Sequence, residues 1–217
     1  NRIYLNNGLT LETTASWVST EIDDTTSVAW GDVDNDGDLD LAVGQANQPN
    51  RVYLNDGNTL ETTASWVSTE HQPSYSVDWG DIDDDGDLDL AVANNGQNNC
   101  VYFNHDGTLE ATASWVSTEA DATISVDWGD MNNDGRLDLV VGNIGQPNRI
   151  YVNTAVGLDT TASWHSTETS ETQSVAWGDV DGDGSLTLAV VNWDEPNQVY
   201  ENLGETLETT ASWLSTE

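Results

Sequence analysis

The chain repeats itself with a period of 49 residues, and this period restricts it to folds built from a row of similar units. The clearest copies are four acidic loops: GDVDNDGDLD at 31–40, GDIDDDGDLD at 80–89, GDMNNDGRLD at 129–138 and GDVDGDGSLT at 178–187. A tryptophan within the sequence ASW recurs five times at the same spacing. Periods of roughly 20–50 residues indicate solenoids or propellers, in which each unit buries its apolar face against its neighbours.

Each repeat shows the pattern of four short strands and no helical periodicity. In the first complete copy we expect strand A at about 26–32, strand B at 39–44, strand C at 51–55 and strand D at 62–68, separated by Gly, Asn, Asp and Pro. In strand A, Val28 and Trp30 share one face, and Ala29 and Gly31 the other. Four antiparallel strands in a repeat of this length predict an all-β fold, a β-propeller of four-stranded antiparallel blades.

The repeat also predicts how the chain divides. A partial blade holding only outer strands C and D precedes four complete blades, and together they form one propeller or part of a larger one. The expected bounds are 1–21 for the partial blade and 22–70, 71–119, 120–168 and 169–217 for the complete blades. The sequence thus predicts five pairs of outer strands C and D but four pairs of inner strands A and B. We therefore expect a homo-oligomer or a part of a longer chain.

The acidic loops have the pattern D-x-D-x-D-G-x-x-D, which predicts up to four calcium sites. Oxygens at positions one, three, five and nine and the main-chain carbonyl at position seven, with water, match the about six to eight oxygens that Ca²⁺ takes. Magnesium is the second choice, and zinc is excluded because no loop contains His or Cys. The predicted ligands are Asp32, Asp34, Asp36, Asp38 and Asp40; Asp81, Asp83, Asp85, Asp87 and Asp89; Asp130, Asn132, Asp134, Arg136 and Asp138; and Asp179, Asp181, Asp183, Ser185 and Thr187, with Asp38, Asp87, Arg136 and Ser185 acting through their carbonyls.

Two alternatives to these calcium sites come from the same residues. An EF-hand is excluded because its position twelve must be Glu, whereas Val43 stands there inside an expected strand. Turn-forming Asp and Asn explain one such loop without a metal, but not four loops in phase whose carboxylates repel one another. The fourth site is predicted to be the weakest because Thr187 replaces the closing carboxylate.

Composition excludes several functions. The chain has 39 acidic and 4 basic residues and a formal net charge of −35, which excludes nucleic acids and anionic membranes as partners by charge. No apolar run approaches the ~18 residues of a membrane span. Cys100 is the only cysteine, so no internal disulfide forms. The three histidines occupy different places in the repeat and no nucleophile motif occurs, which predicts a non-enzymatic protein.

A blade built as a meander has two rims. The A–B and C–D turns lie on one, and the B–C and D–A loops, which differ most between copies, lie on the other. That variation predicts a binding face for a protein or a glycan, or reflects ordinary loop tolerance. The register tryptophans are expected to pack blade against blade. Trp193 is the single tryptophan out of register and the candidate ligand-binding residue, its alternative role being a buried loop anchor.

The core WGDxDxDGxLDLxV followed by NRxYLN resembles the FG-GAP or VCBS repeat of integrin α-subunit propellers, bacterial surface proteins and some fungal lectins. The resemblance covers the whole chain and implies a propeller with calcium in its A–B hairpins; Thr187 departs from it. We therefore expect a calcium-binding module of the extracellular space or cell surface that acts in binding, adhesion or as a scaffold. The alternatives are a calcium-dependent lectin and, more remotely, the non-catalytic part of a secreted hydrolase.

Overall fold

All secondary structure that the computed structural model describes, over residues 1–204 and 206–216, is β-strand. None of this described part contains a helix long and apolar enough to cross a membrane. The strands are β1 (Arg2–Ile3), β2 (Trp17–Val18), β3 (Thr25–Gly31), β4 (Asp40–Gln45), β5 (Arg51–Tyr53), β6 (Trp66–Val67), β7 (Ser74–Gly80), β8 (Asp89–Asn94), β9 (Cys100–Tyr102), β10 (Asn104–His105), β11 (Thr108–Leu109), β12 (Trp115–Val116), β13 (Thr123–Gly129), β14 (Asp138–Asn143), β15 (Arg149–Tyr151), β16 (Asn153–Thr154), β17 (Gly157–Leu158), β18 (Trp164–His165), β19 (Thr172–Gly178), β20 (Thr187–Asn192), β21 (Gln198–Tyr200) and β22 (Trp213–Leu214).

The described strands form four antiparallel sheets of four strands, preceded by a two-stranded piece, and two further short hairpins, β10-β11 and β16-β17. In chain order the sheets are β3-β4-β5-β6 (blade 1), β7-β8-β9-β12 (blade 2), β13-β14-β15-β18 (blade 3) and β19-β20-β21-β22 (blade 4), while β1 pairs only with β2 as the partial blade. Equivalent residues pair in the same register throughout: Trp30 faces Leu41, which faces Tyr53 in the next strand. The predicted all-β fold of four-stranded antiparallel blades is confirmed.

Strand B is the centre of each blade. Every residue of β4, β8 and β14 is buried, because these strands are hydrogen-bonded on both edges and covered on both faces by neighbouring blades. This explains the apolar sequence LDLAV, in which both faces of the strand are hydrophobic. The tyrosine at the end of strand C is fully buried in all four blades.

The inner strands stack through a tryptophan placed on a glycine. A Cβ added to Gly31 would lie 2.7 Å from the Trp79 indole of the next blade, and Gly80 and Gly129 face Trp128 and Trp177 in the same way. Glycine is thus required by the close approach of the ring and not by its backbone angle. The prediction that the WGD tryptophans pack blade against blade is confirmed.

A second set of contacts joins the ASWxSTE segment of one blade to the outer part of the next blade, and we call this set the STE clasp. The Trp17 indole donates to the Leu60 carbonyl at 2.9 Å, and the Thr20 amide donates to Thr62 at 2.8 Å. The Glu21 carboxylate accepts hydrogen bonds from the Tyr53 hydroxyl and the Ala64 amide. Equivalent bonds recur from the next three ASWxSTE segments, at 64–70, 113–119 and 162–168, to the blade that follows each of them.

The predicted strand D at 62–68 was too long. The structure has only Trp66–Val67 in this strand, and a bridge between Asn55 and Leu60 forms a separate narrow turn. The STE clasp gives the physical reason: the carbonyls of residues 60 and 62 accept hydrogen bonds from the preceding blade and are not available to strand C.

The four blades form an open arc. Strands β3, β7, β13 and β19 pack against one another in sequence, with no comparable packing of β19 back onto β3 among the described residues. Consistent with this, Trp30 is 48% exposed on blade 1, and nothing in the described structure lies within 4 Å of a Cβ added to Gly178 on blade 4.

Two carboxylates, those of Asp78 and Asp127, are partly buried between blades near the tryptophan contacts. Burial, with a contribution from neighbouring Asp127, raises the pKa of Asp78 to about 6. Burial also raises the pKa of Asp127, whose oxygens accept hydrogen bonds from the amides of Trp128 and Trp177. Blades 1 and 4 have Ala29 and Ala176 at this position, so these acids lie where blade 2 meets blade 3 and where blade 3 meets blade 4.

We predict that Gly31→Ala destabilises the protein whereas Gly178→Ala does not. The first methyl group would overlap the Trp79 indole, and overpacking of this kind costs about 1–3 kcal/mol. The second enters open space in a strand, where alanine is favoured over glycine by roughly 0.5–1 kcal/mol. Thermal melts of both variants beside the wild type measure the difference; equal losses of stability in the two variants would contradict the stacking described above.

We predict that Asp78→Asn stabilises the protein at pH 7.5 and has little effect at pH 4. A carboxyl group with a raised folded-state pKa favours folding below its unfolded pKa and loses that contribution as pH rises through about 6. The amide removes a penalty of roughly 2–3 kcal/mol at neutral pH, at about 1.4 kcal/mol per pKa unit. Melting temperatures at both pH values test this, with exposed Asp194→Asn as the control for net charge. A stabilisation independent of pH would refute the assignment.

Candidate metal centres

Each acidic loop is the turn between strands A and B, and its backbone bends in the same way in every blade. The fourth residue lies in the left-handed region, with φ of 59° at Asn35 and 61° at Asp84. The glycine at position six has φ of 96° in Gly37, which disfavours any other residue. These two bends turn successive side chains toward one point.

The carboxylates at positions one, three and five converge in three of the four loops. In each loop one oxygen from each residue lies within 4.8 Å of the others; the groups are Asp32, Asp34 and Asp36; Asp81, Asp83 and Asp85; and Asp179, Asp181 and Asp183. The third loop has Asn132 in the middle, yet the Asp134 amide bonds to the oxygens of Asp130 and Asn132 at 3.0 Å, as Asp36 does in the first loop. All four loops therefore present a similar group of oxygens.

The electrostatics of these groups fit a divalent cation. Burial and the neighbouring charges of Asp36 and Asp32 raise the pKa of Asp34, because like charges at short range disfavour ionisation. In the second loop the Gly86 amide donates a hydrogen bond to Oδ2 of Asp81, while the buried Oδ1 of Asp81 has no partner among the described residues. A buried, unpartnered carboxylate oxygen beside two other carboxylates is what an oxygen-seeking cation such as Ca²⁺ would satisfy.

The position-seven side chains of the first three loops reach the C–D turn of the same blade, and the Arg136 guanidinium also bonds to the Asp134 carboxylate of its own loop. Asp38 lies against Gly57, Asp87 accepts a hydrogen bond from the Asp106 amide, and Arg136 donates through Nε to the Asn153 carbonyl at 3.1 Å. Their main-chain carbonyls are the atoms predicted to bind metal. The contacts also place the A–B and C–D turns on one rim, as the meander predicts.

The carboxylate at position nine has a role that the sequence reasoning missed. Asp40 is fully buried, and its two oxygens accept hydrogen bonds from the Val33 and Asn55 amides, both at 2.8 Å. Asp89 and Asp138 repeat both bonds. Burial raises the pKa of Asp89 to about 7 and that of Asp138 to about 6. These residues brace the loop against strand C and do not belong to the convergent groups of three.

The position of Asp40 at the first residue of a wholly buried strand is the signal that could have revealed this brace. A buried carboxylate needs donors, and the only amides nearby are those of the turn and of strand C. The fourth loop lacks the brace: Thr187 is nearly buried, and its hydroxyl makes no such pair of bonds among the described residues. Ser185 and Thr187 are thus the departures of this loop, which retains its three convergent carboxylates.

Trp193 is not a buried loop anchor. Its side chain is 62% exposed, which corrects that alternative. The residues at the same position in the other blades, Ala46, Asn95 and Ile144, each form a bridge with the blade that follows. Blade 4 has no such neighbour in the described structure, so the exposure of Trp193 follows from its place at the end of the arc.

Comparison with known proteins identifies the repeat. A family model described as FG-GAP-like repeat matches four times, at residues 1–43, 39–92, 81–141 and 130–190. No curated protein matches the chain. A solved structure of BBS1N in complex with ARL6DN, soaked with lead, is similar with a TM-score of 0.58 at 14% identity, over 92% of this chain and 58% of that one. The mercury-soaked crystal of the same complex gives 0.55 at 14% identity, over 83% and 51%. The chain therefore spans little more than half of these structures, and the likeness concerns the fold.

We predict that Thr187→Asp stabilises blade 4 in calcium and does not do so in a chelator. The new carboxylate can accept hydrogen bonds from the amides of Val180 and Asn202. Hydrogen bonds to a charged group contribute about 1.5–3 kcal/mol. Without a cation, the same charge is buried near Asp181 and Asp183 and offsets that gain. Thermal melts with calcium and with chelator, beside Thr187→Val as the uncharged control, measure the effect. Equal shifts in both conditions would disprove it.

Proposed function

Because the chain belongs to the family of FG-GAP-like repeat proteins, we propose that it is a non-enzymatic scaffold whose acidic A–B turns bind calcium. The single observation that supports calcium most directly is the convergence of three carboxylates within 4.8 Å in three separate blades. A main-chain carbonyl of each loop could supply a further oxygen, and no loop contains the His or Cys that zinc prefers. Flexible loops rich in carboxylate favour Ca²⁺ over Mg²⁺, which retains its water.

Calcium in these turns would act on stability. Three like charges held together oppose folding, and a divalent ion reverses that contribution. The ion would also order the turn that connects strand A to strand B. Strand A carries the stacked tryptophan, and strand B contributes buried core residues. Binding to the folded state alone adds to the free energy of unfolding, by about 2.7 kcal/mol per site when free calcium is 100 times Kd.

The partner and the location are further parts of this proposal. The B–C and D–A loops, on the rim opposite the calcium turns, form the proposed binding face for a protein or glycan ligand. Variable loops on a rigid scaffold support this, and the similar BBS1N structure was solved in complex with ARL6DN. Calcium sites of this kind suit the extracellular space or the cell surface, where calcium is abundant.

Association through the ends of the arc also belongs to the proposal. The faces of blades 1 and 4 that carry Trp30 and Gly178 match those that neighbouring blades cover inside the array. Another blade of the same kind, from a second copy or from a longer chain, is the natural cover for them.

Removal of calcium is predicted to lower the melting temperature of the protein by many degrees. Native mass spectrometry with and without chelator counts the ions, and thermal melts give the stability; refilling with magnesium alone should restore less of it. Asp83→Asn, which removes one convergent carboxylate, should reduce the calcium effect, whereas exposed Asp24→Asn on the opposite rim should not. A melting temperature that chelator leaves unchanged would refute the proposal.

A further inference from the structure

We infer that the first two acidic loops are coupled, so that calcium in one strengthens calcium binding in the other. This inference rests on the proposed function. The coupling element is a hydrogen-bonded connection between blades 1 and 2 made by Asn35, Asp87 and Asp106, which we call the inter-loop bridge. These residues act as positioning residues and are not themselves convergent carboxylates.

The first end of the bridge lies inside loop 1. Asn35 stands between two of the convergent carboxylates, Asp34 and Asp36, and has the left-handed φ of 59°. Its side-chain Nδ2 donates to Oδ1 of Asp87 in the next blade at 2.6 Å. An ion that fixes the carboxylates on either side of Asn35 therefore also fixes the donor of this bond.

The second end lies inside loop 2. Asp87 is the position-seven residue whose main-chain carbonyl is predicted to bind metal, and its side chain is nearly buried. Its Oδ2 accepts a hydrogen bond from the Asp106 amide at 2.6 Å, and its own amide donates to the convergent carboxylate of Asp85 at 2.9 Å. The bonds to Asn35, Asp106 and Asp85 together fix the side chain and the amide of Asp87, the residue whose carbonyl is predicted to bind metal.

The C–D turn of blade 2 closes the connection into a ring. Gly107 follows Asp106 and packs on loop 1, where an added Cβ would lie 3.2 Å from Cα of Asp34 and 3.4 Å from its carbonyl oxygen. Loop 1 thus contacts loop 2 both directly and through this turn. Any change in the backbone of one loop moves atoms that hold the other.

The next two interfaces lack the bridge. Between blades 2 and 3 the corresponding residues are Asp84 and Arg136, and the guanidinium bonds instead to Asn153 and Asp134. There the cavity lined by Asp83, Asp84 and Arg136 measures about 440 Å³, against about 140 Å³ between blades 1 and 2. Between blades 3 and 4, Asn133 faces Ser185 with no hydrogen bond from its side chain among the described residues.

Coupling between the two sites follows because the ion that binds first already orders part of the loop that binds the second ion. The first ion restricts loop 1 and, through the bridge, the peptide of Asp87, so the second ion encounters a site that is already ordered. The effect is reciprocal, and coupling energies between sites commonly change affinity by about 5–150-fold. The other loops, lacking the bridge, are expected to bind independently of one another.

Hydrogen exchange of the intact chain during calcium titration tests this loop by loop. The midpoint for protection of residues 81–89 is measured in the wild type and in Asp32→Asn/Asp36→Asn, which disables loop 1. We expect the midpoint of loop 2 to rise at least about five-fold when loop 1 is disabled. In an Asn35→Gly background the same disabling should leave the loop 2 midpoint unchanged.

Asn35→Gly is a conservative change, because Gly182 holds the same position in loop 4 with φ of 79°. Asn133→Gly is the matched control: it makes the same change in loop 3 and should preserve the five-fold coupling between loops 1 and 2. Asp87→Ser, which copies Ser185, removes the acceptor and keeps the carbonyl, and should abolish the coupling as Asn35→Gly does. Combining Asn35→Gly with Asp87→Ser should add nothing further to that loss.

Three outcomes would overturn the inference. A loop 2 midpoint that is the same with loop 1 intact or disabled shows that the sites are independent, and leaves the proposed function standing. If the coupling persists in the Asn35→Gly and Asp87→Ser variants, it arises from contacts other than the inter-loop bridge. Absence of calcium-dependent protection in every loop would remove the proposed function and the coupling with it.

Discussion

The contact on which the rest of the structure depends is the indole ring of the inner tryptophan of blades 2, 3 and 4 lying on a glycine of the preceding blade. It fixes the distance between neighbouring inner strands, because no side chain larger than hydrogen fits beneath the ring. The acidic loop begins two residues after that tryptophan, so this contact helps to set the positions of the candidate metal sites in blades 2, 3 and 4. The STE clasp repeats the arrangement at the outer strands, where another tryptophan binds the carbonyl of the next blade.

A chain with a net charge of −35 folds because its carboxylates are used in different ways according to where they lie. At the outer edge, Glu21 and its equivalents accept bonds from a tyrosine hydroxyl and an amide of the following blade. Inside the blade, Asp40 and its equivalents accept hydrogen bonds from two amides and hold the A–B turn against strand C. In the turns, the convergent carboxylates include the unpartnered Oδ1 of Asp81. The described carboxylates that could hold a metal ion therefore lie on one rim.

Much of this was accessible from the sequence, because the period aligns residues that share an environment. The positions of strands A and B, the packing role of the register tryptophans and the grouping of Asp32, Asp34 and Asp36 all follow from alternation and spacing. The extent of strand D did not, since its carbonyls bond to a different blade and no local pattern reports that. The brace made by Asp40 and the bond from Asn35 to Asp87 were also missed, because both depend on which amides and oxygens another turn brings near.

The STE clasp has a consequence for how the molecule assembles from the unfolded chain. Its bonds join residues between 32 and 43 positions apart in the first copy, and the tryptophan and asparagine contacts between neighbouring blades join residues 50 or 71 apart. Each blade contacts only its neighbours along the chain and needs no contact with a distant segment in order to fold. A folding nucleus can therefore form at any repeat and grow in both directions. Such a molecule loses order from its terminal units inward, and its cooperativity depends on the strength of each junction relative to each unit. The most protected amides should accordingly be those of the two central blades.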